Sequence, residues 1–266
     1  MAAHGPGTPY RAVLTGASGG IGAAIARRLA PRAEVLILVG RQQAALEALQ
    51  QELQPHRLQI VCADLCEAQT LDRIAAAADA CGGINLLVNN AGVSDFHAFE
   101  TQSPGAIRKM VETNLLAPML LTRALLPLLA RAPAAQIVNI GSVLGSLGFP
   151  GFAAYGAAKA GLAGFTQALR RELSDTAIAV RHFAPRSTRT PINSAQVDAM
   201  NRALGTAQDS PDAVAEAFLA FLEETGWQRI LGRKESFLVL LNKLAPGLPD
   251  SAIRKQLGQI RKYLPR

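Results

Sequence analysis

Aromatic side chains are scarce in this chain: Phe, Trp and Tyr together make up 5% of its 266 residues. Its core must therefore be built mostly from Ala, Val, Leu and Ile. Cysteine is scarce as well. Cys62, Cys66 and Cys81 are odd in number and lack paired spacing, which argues against a disulfide framework. Without the two-residue spacing and nearby histidines of a zinc site, they are expected to be structural, and no metal is expected. Long apolar runs are missing too. The greasiest stretch, residues 115–130, is broken by Pro118, Arg123 and Pro127, so it reads as a buried amphipathic helix and not a membrane span. The opening "MAAHGPGTPYR" has no apolar segment of the secretory kind and reads as a frayed leader over residues 1–10. A cytoplasmic protein is the resulting expectation.

Acidic residues are nearly absent from the C-terminal part. From Thr225 onward there are nine basic residues against Glu235 and Asp250, so the whole formal charge of +7 resides there. The rest of the chain is neutral, which speaks against a general polyanion binder and against a nucleic-acid partner.

What is present is alternation. Apolar strand-like runs at 12–16, 34–40, 58–64, 84–92, 135–142, 177–185 and 228–232 are separated by helix-like stretches, among them 42–53, 70–80, 104–113, 115–130, 152–173 and 210–224. Repeated β-α units of this kind predict a doubly wound α/β fold, a parallel sheet of about seven strands with helices on both faces and ligands at the carboxyl ends of the strands. No internal linker divides the chain. A single domain over residues 11–232, with a substrate lid at about 191–210, and an extension over 233–266 are expected.

Between the first strand and its helix, "LTGASGGIGAAIARRLA" sets Gly16, Gly20 and Gly22 where a tight turn leads into a helix start. That pattern suits a pyrophosphate, because glycines admit close backbone approach and the helix start offers free N–H groups. The second strand ends in "LVGRQ", with Arg41 where a ribose-binding acid is usual. A guanidinium there would favour a 2′-phosphate, hence NADP(H) over NAD(H); an ordinary exposed arginine is the alternative. Asp64 would accept from an adenine amino group or cap the next helix.

Tyr155 and Lys159 stand four apart in "AAYGAAKAGL", on one face of a helix. A tyrosine titrates near ~10, and a neighbouring cation would bring it down to where it can shuttle a proton. Taken in order, "TGASGGIG", "NNAG" at 89–92, "ETNLLAP", "IVNIGS" and "YGAAK" resemble the short-chain dehydrogenase/reductase family across residues 13–190. The resemblance implies a Rossmann-like fold, nicotinamide dependence and a catalytic tetrad of Asn114, Ser142, Tyr155 and Lys159. Ser142 would hydrogen-bond the substrate oxygen, and Asn114 would hold a water linking Lys159 to solvent. It further implies cofactor contacts from Gly16, Ser18, Gly20, Ile21, Gly22, Arg41, Asp64, Leu65, Asn90, Ala91, Gly92, Tyr155, Lys159, Pro185, Thr188 and Thr190.

The chain departs from the family pattern at Arg186, where glycine is usual; this arginine would be merely exposed or would reach a phosphate or anionic substrate. His97 and His182 receive no role. The expected activity is NADPH-dependent interconversion of a lipophilic ketone or aldehyde and an alcohol, by a homodimer or homotetramer. A cofactor-binding protein with a regulatory or interaction role is the alternative. In the extension, Phe237, Leu238, Leu240, Leu241 and Leu244 cluster, and Ile253, Leu257, Ile260 and Leu264 repeat among basic residues. That tail would pack over the active-site entrance or against a sister subunit, or would lie on an anionic membrane.

Overall fold

The computed structural model describes residues 8–53 and 57–265. Residues 1–7 of the expected leader lie outside the described residues, and Tyr10 already belongs to the first strand. In chain order the elements begin β1 (Tyr10–Thr15), α1 (Gly20–Leu29), β2 (Ala33–Gly40), α2 (Gln43–Glu52), β3 (Arg57–Cys62), α3 (Ala68–Ala80) and β4 (Leu86–Asn89). There follow α4 (Pro104–Val111), α5 (Ala117–Leu129), β5 (Ala135–Ile140), α6 (Ala153–Glu172) and β6 (Ile178–Ala184). The chain continues with α7 (Ala195–Ala203), α8 (Pro211–Glu223), β7 (Gln228–Ile230), α9 (Arg233–Leu244) and α10 (Gly247–Ile260).

The described strands form one seven-stranded sheet in the order β3-β2-β1-β4-β5-β6-β7, and every neighbouring pair is parallel. Strand order reverses between β1 and β4, so the crevice for a ligand opens where these two strands end. Alternation along each strand feeds two cores. Ala12, Leu14, Leu36 and Leu38 meet Ile25, Leu29, Phe218 and Leu222 on one face. Val13, Val35, Ile37 and Val39 meet Ile74, Leu121, Leu125 and Leu169 on the other. Both faces of the central strands are thus dry, which is why those strands read as apolar runs.

Helices α4 and α5 are joined by a single π turn, Glu112–Leu116, where the sequence suggested a break. Pro118 accounts for part of this: it has no N–H to offer the Asn114 carbonyl four residues earlier, so the regular ladder is interrupted there.

Candidate active site

The first crossover is shaped by its glycines. Gly16 and Gly20 adopt φ of +66° and +54°, a region that disfavours residues with a Cβ. Gly22 is pressed against the Gly16 carbonyl, so that a side chain there would overlap it. Helix α1 starts from Gly19 without a side-chain cap and without an acid in its first turn, whereas α4, α7 and α8 are capped by Ser103, Ser194 and Ser210. Its first N–H groups and positive dipole end are thereby left to an anion.

The β4 end is fastened to this loop through Thr15. Its hydroxyl accepts from the Asn90 and Ala91 N–H groups, both at 3.0 Å, and Asn90 Nδ2 donates to the Thr15 carbonyl at 2.9 Å. Thr15 was not singled out from the sequence, although it opens the "TGASGGIG" motif. Below it, Asn89 donates to Thr122 and Asn139, and Asn139 donates to Thr166, a buried polar chain tying β4 and β5 to α5 and α6.

At the outer rim, Ser18 Oγ lies 3.1 Å from where a Cβ on Gly40 would stand, and Arg41 stands 3.9 Å from Asp64 with half its side chain exposed. Asp64 accepts the Cys66 N–H at 3.0 Å within the turn after β3 and does not cap α3, which starts from Glu67 without a side-chain cap; this bond, aided by Arg41 and Lys109, holds its carboxyl below the usual range. Leu65 buries its side chain in the core, and Ile21 packs against the opposite core. The residues present therefore fit a dinucleotide: a glycine cradle, an uncapped helix start and a partly free arginine by the second strand.

The four tetrad residues come together. Ser142 follows β5; its oxygen accepts the Leu144 N–H at 3.1 Å, and its hydroxyl lies near enough to the Tyr155 phenol to favour the phenolate. Lys159 is 4% exposed, donates to the Ile140 carbonyl at 2.9 Å and lies 6.0 Å from the centre of the Tyr155 ring. Asn114 and Lys159 flank Gly92: a Cβ there would stand 3.0 Å from Asn114 Oδ1 and 3.6 Å from Lys159 Nζ.

The Asn114 side chain is tied to the Val93 backbone. Its Oδ1 accepts the Val93 N–H and its Nδ2 donates to the Val93 carbonyl, both at 2.8 Å. The Tyr155 hydroxyl, taken with the protein's own groups, is not lowered but raised by burial, with Ser142 partly offsetting this. Burial acts on the partner as well and brings Lys159 down to about 8.

Arg186 does not reach toward a phosphate. It makes a two-pronged pair with Asp209 at 2.6 and 2.9 Å and faces Glu235 at 3.5 Å. With the Thr188–Asp209 bridge, this pins together the two ends of the segment that carries α7. Pro185 accepts the Val143 N–H, and the Thr190 side chain rests 3.2 Å from the position of a Gly20 Cβ, so this segment meets the glycine loop. His182 is closer to the site than its sequence position suggested: it is buried beneath Gly141, where any side chain would strike its ring.

Sequence reasoning also missed the wall beside Tyr155. Phe96, Phe152, Val197, Met200 and Ile260 form a buried cluster, with Leu144, Phe149, Tyr155, Tyr263 and Leu264 packed on it. Phe152 meets the Tyr155 ring edge-on at 6.1 Å. The chain has nine Phe and three Tyr. Three of the former and two of the latter gather here. The C-terminal segment thus packs beside Tyr155.

A parallel sheet with its glycine turn at the reversal of strand order defines a nucleotide-binding α/β protein. The model of the family described as short chain dehydrogenase matches residues 11–201. The chain is 34% identical over 252 residues to dehydrogenase/reductase SDR family member 7B of Bos taurus, covering 89% of this chain and 78% of that protein. It is 33% identical over 191 residues to a 3-oxoacyl-(acyl-carrier-protein) reductase of Vibrio harveyi, covering 70% and 77%. The bulky-bulky ketone specific alcohol dehydrogenase from Comamonas testosteroni shares the structure with a TM-score of 0.77 at 29% identity, over 91% of this chain and 94% of that one. A short chain dehydrogenase/reductase from Burkholderia phymatum in complex with NAD gives 0.82 at 24% identity, over 90% and 95%. The chain belongs to the short-chain dehydrogenase/reductase family, oxidoreductases that act on CH–OH groups and bind a nucleotide cofactor.

Proposed function

We propose that this protein is an NADPH-dependent reductase of bulky, lipophilic ketones or aldehydes, working reversibly on the corresponding alcohols. The observation that carries this reading is Tyr155, beside Ser142, one helical turn from Lys159 and set edge-on in an aromatic wall.

A nicotinamide dinucleotide held by the Gly16–Gly22 loop supplies or accepts the hydride. Tyr155 gives its phenolic proton to the carbonyl oxygen during reduction and takes it back during oxidation. Ser142 donates to the same oxygen and steadies the charge that grows there. The Lys159 ammonium stabilises the phenolate left on Tyr155 and returns its proton. Asn114 acts through its backbone: with its side chain locked to Val93, its carbonyl lacks a donor at Pro118 and is the group available to a proton-carrying water. Arg41 selects the 2′-phosphate and hence NADP(H) over NAD(H), supported by its half-exposed guanidinium beside Asp64.

The working form is a homo-oligomer, a reading supported by the exposed apolar residues Val111, Leu116, Met119 and Leu120 along the α4–α5 helix. The chemistry is tested by following NADPH oxidation across ketones, aldehydes and acyl thioesters of increasing bulk. Turnover rising with apolar bulk is the expected result; tight NADPH binding without turnover on any of them rejects it.

A further inference from the structure

Helices α9 and α10 form a hairpin whose outer face is unusual for a water-facing surface. Val239 is buried, and Asn242 donates to the Ser146 carbonyl at 3.0 Å, which fixes α9 beside the segment that follows Ser142. The opposite side of the hairpin is apolar. Phe237, Leu240, Leu244 and Leu248 are 63%, 54%, 76% and 60% exposed, and Leu238 adds to them. Positions 237, 240 and 244 are spaced three and four apart, so they share one stripe of the helix. Single exposed leucines are ordinary, but a contiguous stripe of this size marks a contact surface.

Charge identifies the contact. Arg233, Lys234, Lys243, Arg254, Lys255 and Lys262 on the same hairpin are exposed. Glu235 is turned inward to Arg186, which leaves Asp250 as the exposed acid. A second copy of this chain is a poor occupant, because a two-fold contact would lay the same basic hairpin against itself. An apolar stripe rimmed by lysine and arginine matches an anionic lipid surface, with the leucines entering the acyl boundary and the cations meeting headgroup phosphates. No described helix is long and apolar enough to cross a membrane, so the contact is a surface one.

We propose that the α9–α10 hairpin is a docking surface for anionic bilayers. The same hairpin continues into Ile260, Tyr263 and Leu264, which pack in the wall beside Tyr155, and Gln259 donates to the Ala203 carbonyl of α7. Docking therefore places the substrate side of the protein next to lipid, where a lipophilic carbonyl partitions.

The test is flotation of the full chain with phosphatidylcholine vesicles, with and without phosphatidylglycerol. The protein should float with the anionic vesicles at low salt and lose this at high salt. The exposed pair Leu240→Glu/Leu244→Glu should reduce flotation by about tenfold or more. Lys234→Glu/Lys243→Glu should do the same on anionic vesicles alone. NADPH oxidation with a small soluble carbonyl should be unchanged in both variants, which shows that they fold. Lipid binding is read without catalysis, so it stands or falls separately from the proposed reaction. Absence of flotation at low salt overturns the proposal, as does equal flotation by the leucine variant. A change of oligomeric state in that variant by light scattering, without lipid binding by the parent, assigns the stripe to a second copy and also overturns it.

Discussion

Lys159 Nζ lies 6.0 Å from the centre of the Tyr155 ring and is held there by the Ile140 carbonyl at 2.9 Å. The ammonium is buried at a cost, since its proton is bound only to about 8. A buried charge kept against that cost points to chemistry and not to packing. Lys159→Met should therefore reduce kcat/KM by about 100-fold or more while the melting temperature stays the same or rises. Turnover assays and differential scanning calorimetry on the same preparation check both parts. A variant that melts earlier and keeps its activity contradicts this account of Lys159.

His182 makes stability depend on acid. Burial, with Lys159 and Lys243 nearby, pushes its imidazole down to about 4 from the ordinary 6.5. Between those values the unfolded chain binds a proton that the folded chain refuses. Stability contributed by this site is thus complete above pH 6.5 and is lost as pH falls toward 4, by about 3 kcal/mol across the window. His182→Gln should flatten that part of the pH profile of urea unfolding. An equally steep profile in the variant would assign the acid limb to other groups.

The glycine turn should be intolerant at Gly22. An alanine methyl there meets the Gly16 carbonyl and Asn90 Nδ2, which the Thr15 network holds in place. Gly22→Ala should destabilise the fold by about 1–3 kcal/mol and abolish dinucleotide binding in fluorescence titration. Gly19, with open space around its Cα, should accept alanine with far less loss of stability.

In the proposed reading, cofactor choice rests on Arg41. Arg41→Ala should raise the KM for NADPH by about tenfold or more, the worth of a charge-assisted hydrogen bond, and leave that for NADH nearly unchanged. The melting temperature should hardly move, because the Asp64 contact is long and exposed. Equal losses with both cofactors would reject the 2′-phosphate assignment.

What could be read from the sequence was whatever the backbone forces. Gly16 and Gly20 need positive φ and Gly22 needs a missing Cβ, so the turn was visible as a motif. Tyr155 and Lys159 were visible because one helical turn fixes their spacing. The strands were visible because the central ones, buried on both faces, read as mainly apolar runs, even though β6 carries Arg181 and His182 in its middle. The aromatic wall was hidden, since Phe96, Phe149, Phe152 and Tyr263 come from separate segments without a shared period. The partners of Arg186 lie 23 and 49 residues away, and a lone arginine in a loop says nothing of them. The π turn before Pro118 was overlooked because one extra residue leaves the apolar pattern on either side intact.

The central claim is that Tyr155 moves the proton. Tyr155→Phe keeps the ring against Phe152 and removes only the hydroxyl, so stability and NADPH binding should stay close to those of the parent. Under saturating NADPH, with the best carbonyl of the panel, turnover of this variant should fall by about 1,000-fold or more. Turnover within twofold of the parent, with binding intact, would contradict the account.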